Sequence, residues 1–597
     1  MAFTPPPAFT TRPTLEGTFG MSASTHWLAT ASAQAVLERG GNAFDAVVAG
    51  GFVLHVVEPH LNGPGGDLVG VFATADDPGR PVVLMGQGPA PAGATIEHFR
   101  GAGLDLVPGA GGLAAAVPGA VDAWLVLLRD HGTMELADVL SAAVHYARDG
   151  APLLPQAVAT IRRVEGLFRE HWPSSSALWL PGGDVPEPGT LVPNPAYADV
   201  LDRLVAAGHS VRDDGPIGRA ARIDAARDEW KRLVGAAASD FLAQPHRHST
   251  GGDHAAVITR EDVAAFDAGY DDAATAEFRG HVVAKAGAWT QGPALLEALR
   301  ILDPLPDAEL DPSTARGAHM IVETIKLVLA DRDAHFGDGA RLDRLLSDGF
   351  AAERRALLGP RASDQWRPGA LAGVEPFHPP LHLDPDALPG AQEPTIARTG
   401  DTRGDTCHID VVDRWGNIVA VTPSGGWLQS SPAIPELGFC LGTRLQMTWL
   451  DEAAPAALRP GARPRTTLTP TLVLRDGRAV MALGTPGGDQ QEQWQLSALL
   501  RMLVGGYSAQ QAIDAPALHT IALVDSFWPR TWHPDGVFVE DRIGDAVIAE
   551  LAERGHAVVR AGDWSLGRLS AVGIDRDRGV LWAAANPRGI QGYATGR

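Results

Sequence analysis

The sequence predicts an α+β layered fold rather than a doubly wound parallel sheet. Three observations carry that reading. Helical periodicity fills the middle third of the chain, strands dominate directly after residue 406, and a strand–helix–strand run closes it. Blocks of this kind must cover one another to bury their apolar faces. The 597 residues supply enough chain for several layers and a large core. Hydrophobic residues at 45% and charged residues at 20% are the proportions of a globular protein.

The elements follow in order. After a Pro- and Thr-rich arm, Met1 to Gly20, Ser24-Thr25-His26 precedes a helical pattern from Leu28 to Glu38, which Gly40-Gly41-Asn42 stops. A second apolar helix runs from about Phe44 to Val57 and ends at Pro59. Leu61-Asn62-Gly63-Pro64-Gly65-Gly66-Asp67 is a glycine-rich turn, read as structural, before strands near Leu68–Phe72 and Val82–Met85. From about Ala120 to Leu358 the pattern is mostly helical, with helices near Val121–Arg129, Leu136–Ala147 and Met320–Ala330. Pro360 to Thr402 is rich in Pro and Gly without a period. It reads as a long exposed loop suited to cleavage. Strands follow at Cys407–Val412, Ile418–Thr422, Thr469–Leu474 and Val480–Leu483, then helices at about Gln490–Leu503 and Ala509–Ile513. Val537–Val539, Ala546–Glu553 and Leu581–Ala585 form the closing strand–helix–strand. No internal repeat is present.

Composition excludes several function classes. There are 49 basic and 71 acidic side chains, a formal charge of −22, so the basic face that nucleic acids or anionic membranes require is missing. Two cysteines, Cys407 and Cys440, exclude a disulfide scaffold. His26, His55, His60 and His408 lack metal-ligand spacing, and no metal or cofactor is expected. There is no basic stretch leading into an apolar leader, and no uninterrupted apolar run of the roughly 18–20 residues that a membrane helix needs. The expectation is a soluble cytoplasmic enzyme acting on a small molecule.

The chemistry points to Gly404-Asp405-Thr406-Cys407-His408, a loop running into a buried strand. Cutting the Asp405–Thr406 bond would make Thr406 an N-terminus. Its amine, with an ordinary pKa of about 7.7–8.0, would then serve as the base for its own hydroxyl. The bland reading is a threonine at a strand start. Cys407 falls on the opposite, apolar face with Ile409 and Val411, which suits a buried core thiol. Gly484-Thr485-Pro486-Gly487-Gly488-Asp489 joins a strand to a helix, where bare N–H groups of Gly487 and Gly488 can meet an oxyanion. Asp489 and Glu492 read as a capping pair for that helix. The hydroxyl-rich segment Arg463 to Thr471 offers substrate contacts, and Trp289, Trp427, Trp449 and Trp494 are candidates for a pocket wall.

Taken together, these motifs resemble the γ-glutamyltranspeptidase family of N-terminal-nucleophile hydrolases over nearly the whole chain. The matching segments are Gly20 to His26, Gly40 to Ala46, Val57-Glu58-Pro59-His60 with Gly65-Gly66, Val117-Pro118-Gly119, Ile258 to Asp262, Ala330-Asp331-Arg332, Thr406 through Asn417, and Pro486-Gly487-Gly488. The resemblance implies a four-layer αββα sandwich and self-cleavage into fragments 1–405 and 406–597. These stay associated as one domain, with a homodimer of such pairs left open. It implies that Thr406 is the nucleophile and Gly487 and Gly488 the oxyanion donors. Ser424 lies where the family has a threonine that binds the nucleophile's amine, and Thr466 and Thr467 where two serines bind the glutamyl carboxylate.

The departures bear on substrate. Gln87 falls where the family's carboxylate-gripping arginine sits, Gly426 near its asparagine, and Gln446-Met447 near its acidic pair. Each lost charge-assisted bond removes about 1.5–3 kcal/mol, so the glutamyl head loses its recognition. The expectation is an amidohydrolase or acylase for a short oxo-acid, oxamate-like acyl group, bound by Gln87, Trp427, Arg444, Thr466 and Thr467. The alternatives are a true γ-glutamyltransferase or glutathione hydrolase, a natural-product enzyme cleaving a C–C bond beside a keto group, and an unprocessed binding homologue.

Overall fold

The computed structural model describes residues 3–211, 215–383 and 406–597. Asp405 and the end of the Pro/Gly-rich segment lie outside the described residues.

Two seven-stranded antiparallel sheets stack face to face. The first runs in the order Tyr593–Gly596, Gly20–Ser24, Ile409–Asp413, Ile418–Ser424, Asp67–Ala73, Val82–Gly86, Gly269–Asp272. The second runs Leu15–Gly17, Val580–Ala585, Ser570–Asp575, Arg478–Gly484, Thr471–Arg475, His281–Lys285, Ala274–Phe278. Alternation along the strands decides what each face buries. Val412, Ile418 and Ala420 of the first sheet meet Leu472, Ala482 and Val572 of the second between the layers. Ile409, Val411, Val419 and Val421 point outward into a helical layer. That layer includes Trp27–Glu38, Ala43–Val57 and Ala120–His131. The outer face of the second sheet packs on Gly292–Leu302, Ala315–His335 and Gln491–Leu503. The result is the expected αββα sandwich.

The helix Ala43–Val57 shows why sequence and layer agree. Asn42 accepts at its side chain from the N–H groups of Phe44 and Asp45, and Asp45 closes the capping box onto the Asn42 N–H. The start of the helix is thereby set, and apart from Asp45 and His55 its residues are apolar or glycine, as suits a helix buried along nearly its whole length. The middle third departs from expectation. It contains the strands Gly269–Asp272, which pairs with Val82–Gly86, and Ala274–Phe278, which forms a hairpin with His281–Lys285; the latter pairs onward with Thr471–Arg475. The partners Val82–Gly86 and Thr471–Arg475 are distant in sequence, so no local pattern announces those two pairings. Among the described residues no helix is long and apolar enough to cross a membrane.

Candidate active site

The hairpin of Ile409–Asp413 and Ile418–Ser424 places Thr406. Its turn is built by Asp413, whose carboxylate accepts from the N–H groups of Trp415, Gly416 and Asn417 at 2.9–3.1 Å and from the Asn417 amide at 2.7 Å. The register Ile409↔Val421 runs on to an isolated bridge between Thr406 and Ser424. The Thr406 hydroxyl lies 3.2 Å from the Ser424 hydroxyl, and both residues are buried. The turn beyond Ser424 is pressed against the glycine-rich turn before Asp67. A Cβ on Gly66 would sit 2.1 Å from the Ser424 carbonyl oxygen, so only glycine allows that approach.

Behind the strand, the Cys407 thiol donates to Glu58 at 3.0 Å. Glu58 also accepts from Thr25 at 2.5 Å and Gln591 at 2.7 Å. Burial pushes the Glu58 carboxyl up, and Arg568 and these donors oppose it. Cys407 does pack among Ile409 and Val411, as alternation requires, but its sulfur is held by polar partners as well. The His408 ring sits between Asp410 and Thr422, each at 2.8 Å, and Asp410 accepts from Ser570 at 2.7 Å. The same ring covers Gly484, where a Cβ would meet it at 2.2 Å. His408 therefore couples the strand carrying Thr406 to the strand that leads into Gly487.

At that turn Gly487 has φ 123° and Gly488 φ 53°. The Trp494 ring lies where a Gly487 Cβ would be, at 2.2 Å. The expected capping pair is absent. The helix begins after Gln490 with no side-chain cap. Asp489 instead takes two hydrogen bonds from Ser526, at 2.8 and 2.6 Å, and pairs with Arg332. Glu492 is turned into the core 3.9 Å from Lys285. Competition from a buried arginine, invisible locally, overrode the cap.

The expected substrate contacts fall in two groups. Gln87 and Arg444 line one small cavity of about 10 Å³ with Gly66, Asp67 and Gly425, room for roughly one water. Arg444 is gripped by Asp67 through Nε at 2.6 Å and Nη2 at 2.7 Å, and its Nη1 donates to the Met447 sulfur at 3.4 Å. Thr466 and Thr467 lie elsewhere. The Thr466 carbonyl accepts from the Gln291 N–H at 3.0 Å, and the Thr467 hydroxyl is buried without a partner among the described residues. Trp427 packs with Met447 and Phe527, and Phe527 covers Gly488. Trp427 and Phe527 thus link the segment that follows Ser424 to the Gly487–Gly488 turn. Of the other tryptophans, Trp494 backs the glycine turn, whereas Trp289 and Trp449 stack with Arg463 and Arg530.

Sequence reasoning gave no site role to Gln291, Arg332 or Arg465, all buried around the Gly487–Gly488 turn and its neighbours Asp489 and Ser526. Arg332 had a signal, because the charged run Asp331-Arg332-Asp333 follows the apolar stretch Leu327 to Ala330. Among the described residues no group of three or more His, Cys, Asp or Glu is placed to hold a metal ion.

Comparison with known proteins fits this architecture. The chain is 32% identical over 582 residues to the oxamate amidohydrolase proenzyme of Klebsiella pneumoniae, covering 96% of this chain and 97% of that one. It is 29% identical over 591 residues to the glutathione hydrolase-like YwrD proenzyme of Bacillus subtilis, covering 97% and 99%. Two solved structures of a protein named LmbA2991 superpose with TM-scores of 0.92 and 0.90 at 52% and 50% identity, each covering 99% of this chain and 100% of the other. The sequence profile named Gamma-glutamyltranspeptidase matches residues 29–596, and the chain belongs to that family of hydrolases and acyltransferases.

Proposed function

We propose that this enzyme cuts itself between Asp405 and Thr406 and then hydrolyses the amide of a short, oxamate-like acyl group through Thr406. The observation that carries the reading is the Thr406 hydroxyl, held 3.2 Å from Ser424 at the head of the central hairpin. After the cut, fragments 1–405 and 406–597 form one catalytic unit. The freed amine of Thr406 takes the proton from Oγ1 as the oxygen attacks the acyl carbonyl. The N–H groups of Gly487 and Gly488 receive the negative charge that develops on the carbonyl oxygen. The C–N bond breaks as the leaving nitrogen takes that proton. Water then attacks the threonine ester, releases the acid and restores the hydroxyl.

Two features support a non-glutamyl acyl group. Gln87 is neutral, and Arg444 spends two of its donors and its charge on Asp67. Among the described residues lining that cavity, the one guanidinium and the one carboxylate are already paired with each other, so the ammonium and carboxylate of a glutamate head both lack a dedicated partner there. The Klebsiella relative, named an oxamate amidohydrolase, agrees with a small acyl group.

Intact-mass measurement of the wild type beside Thr406→Ala tests the first step. Two fragments meeting at Asp405/Thr406 in the wild type alone are expected. One uncut mass in both, stable for days, overturns the reading. Ammonia release from oxamate, compared with cleavage of glutathione, tests the substrate: faster glutathione turnover would replace the acyl-group reading with γ-glutamyl hydrolysis.

A further inference from the structure

Gln291 stands between Thr466 and the Gly487–Gly488 turn. It precedes the helix Gly292–Leu302 and is fully buried. Its side-chain Nε2 donates to the Gly488 carbonyl at 2.9 Å. Its backbone N–H donates to the Thr466 carbonyl at 3.0 Å. Its Oε1 accepts from Arg332 Nη1 at 2.9 Å, which fixes the amide with nitrogen toward the glycine turn. Arg332 holds the far side of the same turn through Asp489. Its other donors reach Asp333 and the Val524 carbonyl, at 3.0 Å each. Burial works against the Arg332 charge, but Asp333 and Asp489 more than restore it, so it stays charged throughout the working pH range.

We infer that Gln291, oriented by Arg332, is a positioning residue that anchors the Gly487–Gly488 turn at its Gly488 carbonyl and ties it to the acyl-binding segment at Thr466. The physical reason lies in the turn itself. Both glycines have positive φ and no side chain, so neither holds its own peptide plane. An oxyanion site works only if its N–H groups are aimed before charge develops. Pinning the carbonyl of the 488–489 peptide and holding Asp489 against Arg332 both anchor the chain directly after Gly488, which limits how the turn before it can swing. Because the same residue holds Thr466 by its backbone, the acyl-binding segment and the oxyanion turn share one anchor. A substrate seated against the threonines is thus registered to the N–H groups.

The inference rests on the proposed Thr406 chemistry, and the test separates the two. Gln291→Glu keeps the acceptor for Arg332 and removes the donor to Gly488, whereas Gln291→Met removes both at equal length. Turnover of oxamate and of p-nitrophenyl acetate is measured with Thr406→Ala as the blank, together with Tm and fragment masses. The expected result is a kcat lower by 10- to 100-fold in both variants with KM within threefold, while Gln291→Glu keeps wild-type Tm and self-cleavage. A Gln291→Glu kcat within twofold of wild type overturns the positioning role. So does a loss in kcat that only follows a loss in Tm. A wild type with no Thr406-dependent turnover of either probe overturns the parent reading and this inference with it.

Discussion

At the scale of single residues, the site is a set of short polar contacts inside a dry core. The hydroxyl of Ser424 is worth about 1 kcal/mol to the placement of Thr406, the usual net value of a buried hydrogen bond. Ser424→Ala should therefore lower kcat about fivefold with KM nearly unchanged, as steady-state rates on the best acyl substrate would show. The position of Thr406 at the head of the hairpin and the tight turn at Gly487–Gly488 were legible from the sequence, because residue type and neighbours mark both. Arg444 was legible as a cation but not as a neutralised one. Its partner Asp67 lies 377 positions away along the chain, and only the fold brings them together.

At the scale of elements, one strand and one helix share an unusual pair. Lys285 ends the strand His281–Lys285, and Glu492 opens the helix Gln491–Leu503. Both are fully buried, 3.9 Å apart. The ammonium donates to the Thr469 carbonyl and the Thr471 hydroxyl, each at 2.8 Å. Burial lowers Lys285 to about 7, with Glu492 opposing, and raises Glu492 to about 7, with Lys285 opposing. A carboxyl raised in this way gives its full stability below its ordinary 4.5 and loses it as pH rises through 7. Lys285→Met removes the group that opposes the rise at Glu492, so its Tm deficit should be larger at pH 7, where both groups carry charge, than at pH 5, where Glu492 is protonated. Losing one partner of a buried pair costs about 3–5 kcal/mol, while an apolar double replacement is often neutral or better. Lys285→Met with Glu492→Leu should recover most of the loss at pH 7, measured by thermal unfolding. Nothing local marks this pair. The helix start read as a cap because Asp489 and Glu492 have the right spacing, and the spacing says nothing of Arg332 and Lys285 waiting in the core.

At the scale of the whole molecule, the two proposed fragments are interleaved. In the first sheet Gly20–Ser24 lies between Tyr593–Gly596 and Ile409–Asp413, and Ile418–Ser424 lies against Asp67–Ala73. In the second, Leu15–Gly17 pairs with Val580–Ala585 and His281–Lys285 with Thr471–Arg475. After self-cleavage the fragments should co-elute in size-exclusion chromatography and part only in denaturant. Separate elution under native conditions would contradict the sheet order. The layered class was readable from the run of strands after Thr406 and the apolar helices before it. The pairing of first-fragment strands into both sheets was not, because pairing between distant segments leaves no periodic trace.

The strand order also bears on the proposed cut. Ile409–Asp413 is flanked by Gly20–Ser24 and by Ile418–Ser424, which itself lies against Asp67–Ala73. Thr406 faces Ser424 only where these pairings exist. If the chain cuts itself as proposed, a newly made chain would have no working scissors until these strands had paired. Fragments would then be a proofreading mark, and counting them in a preparation would count the molecules that reached the native state. Two separately expressed halves, obliged to meet as strangers, would have to assemble this weave without the tether that once made every pairing intramolecular.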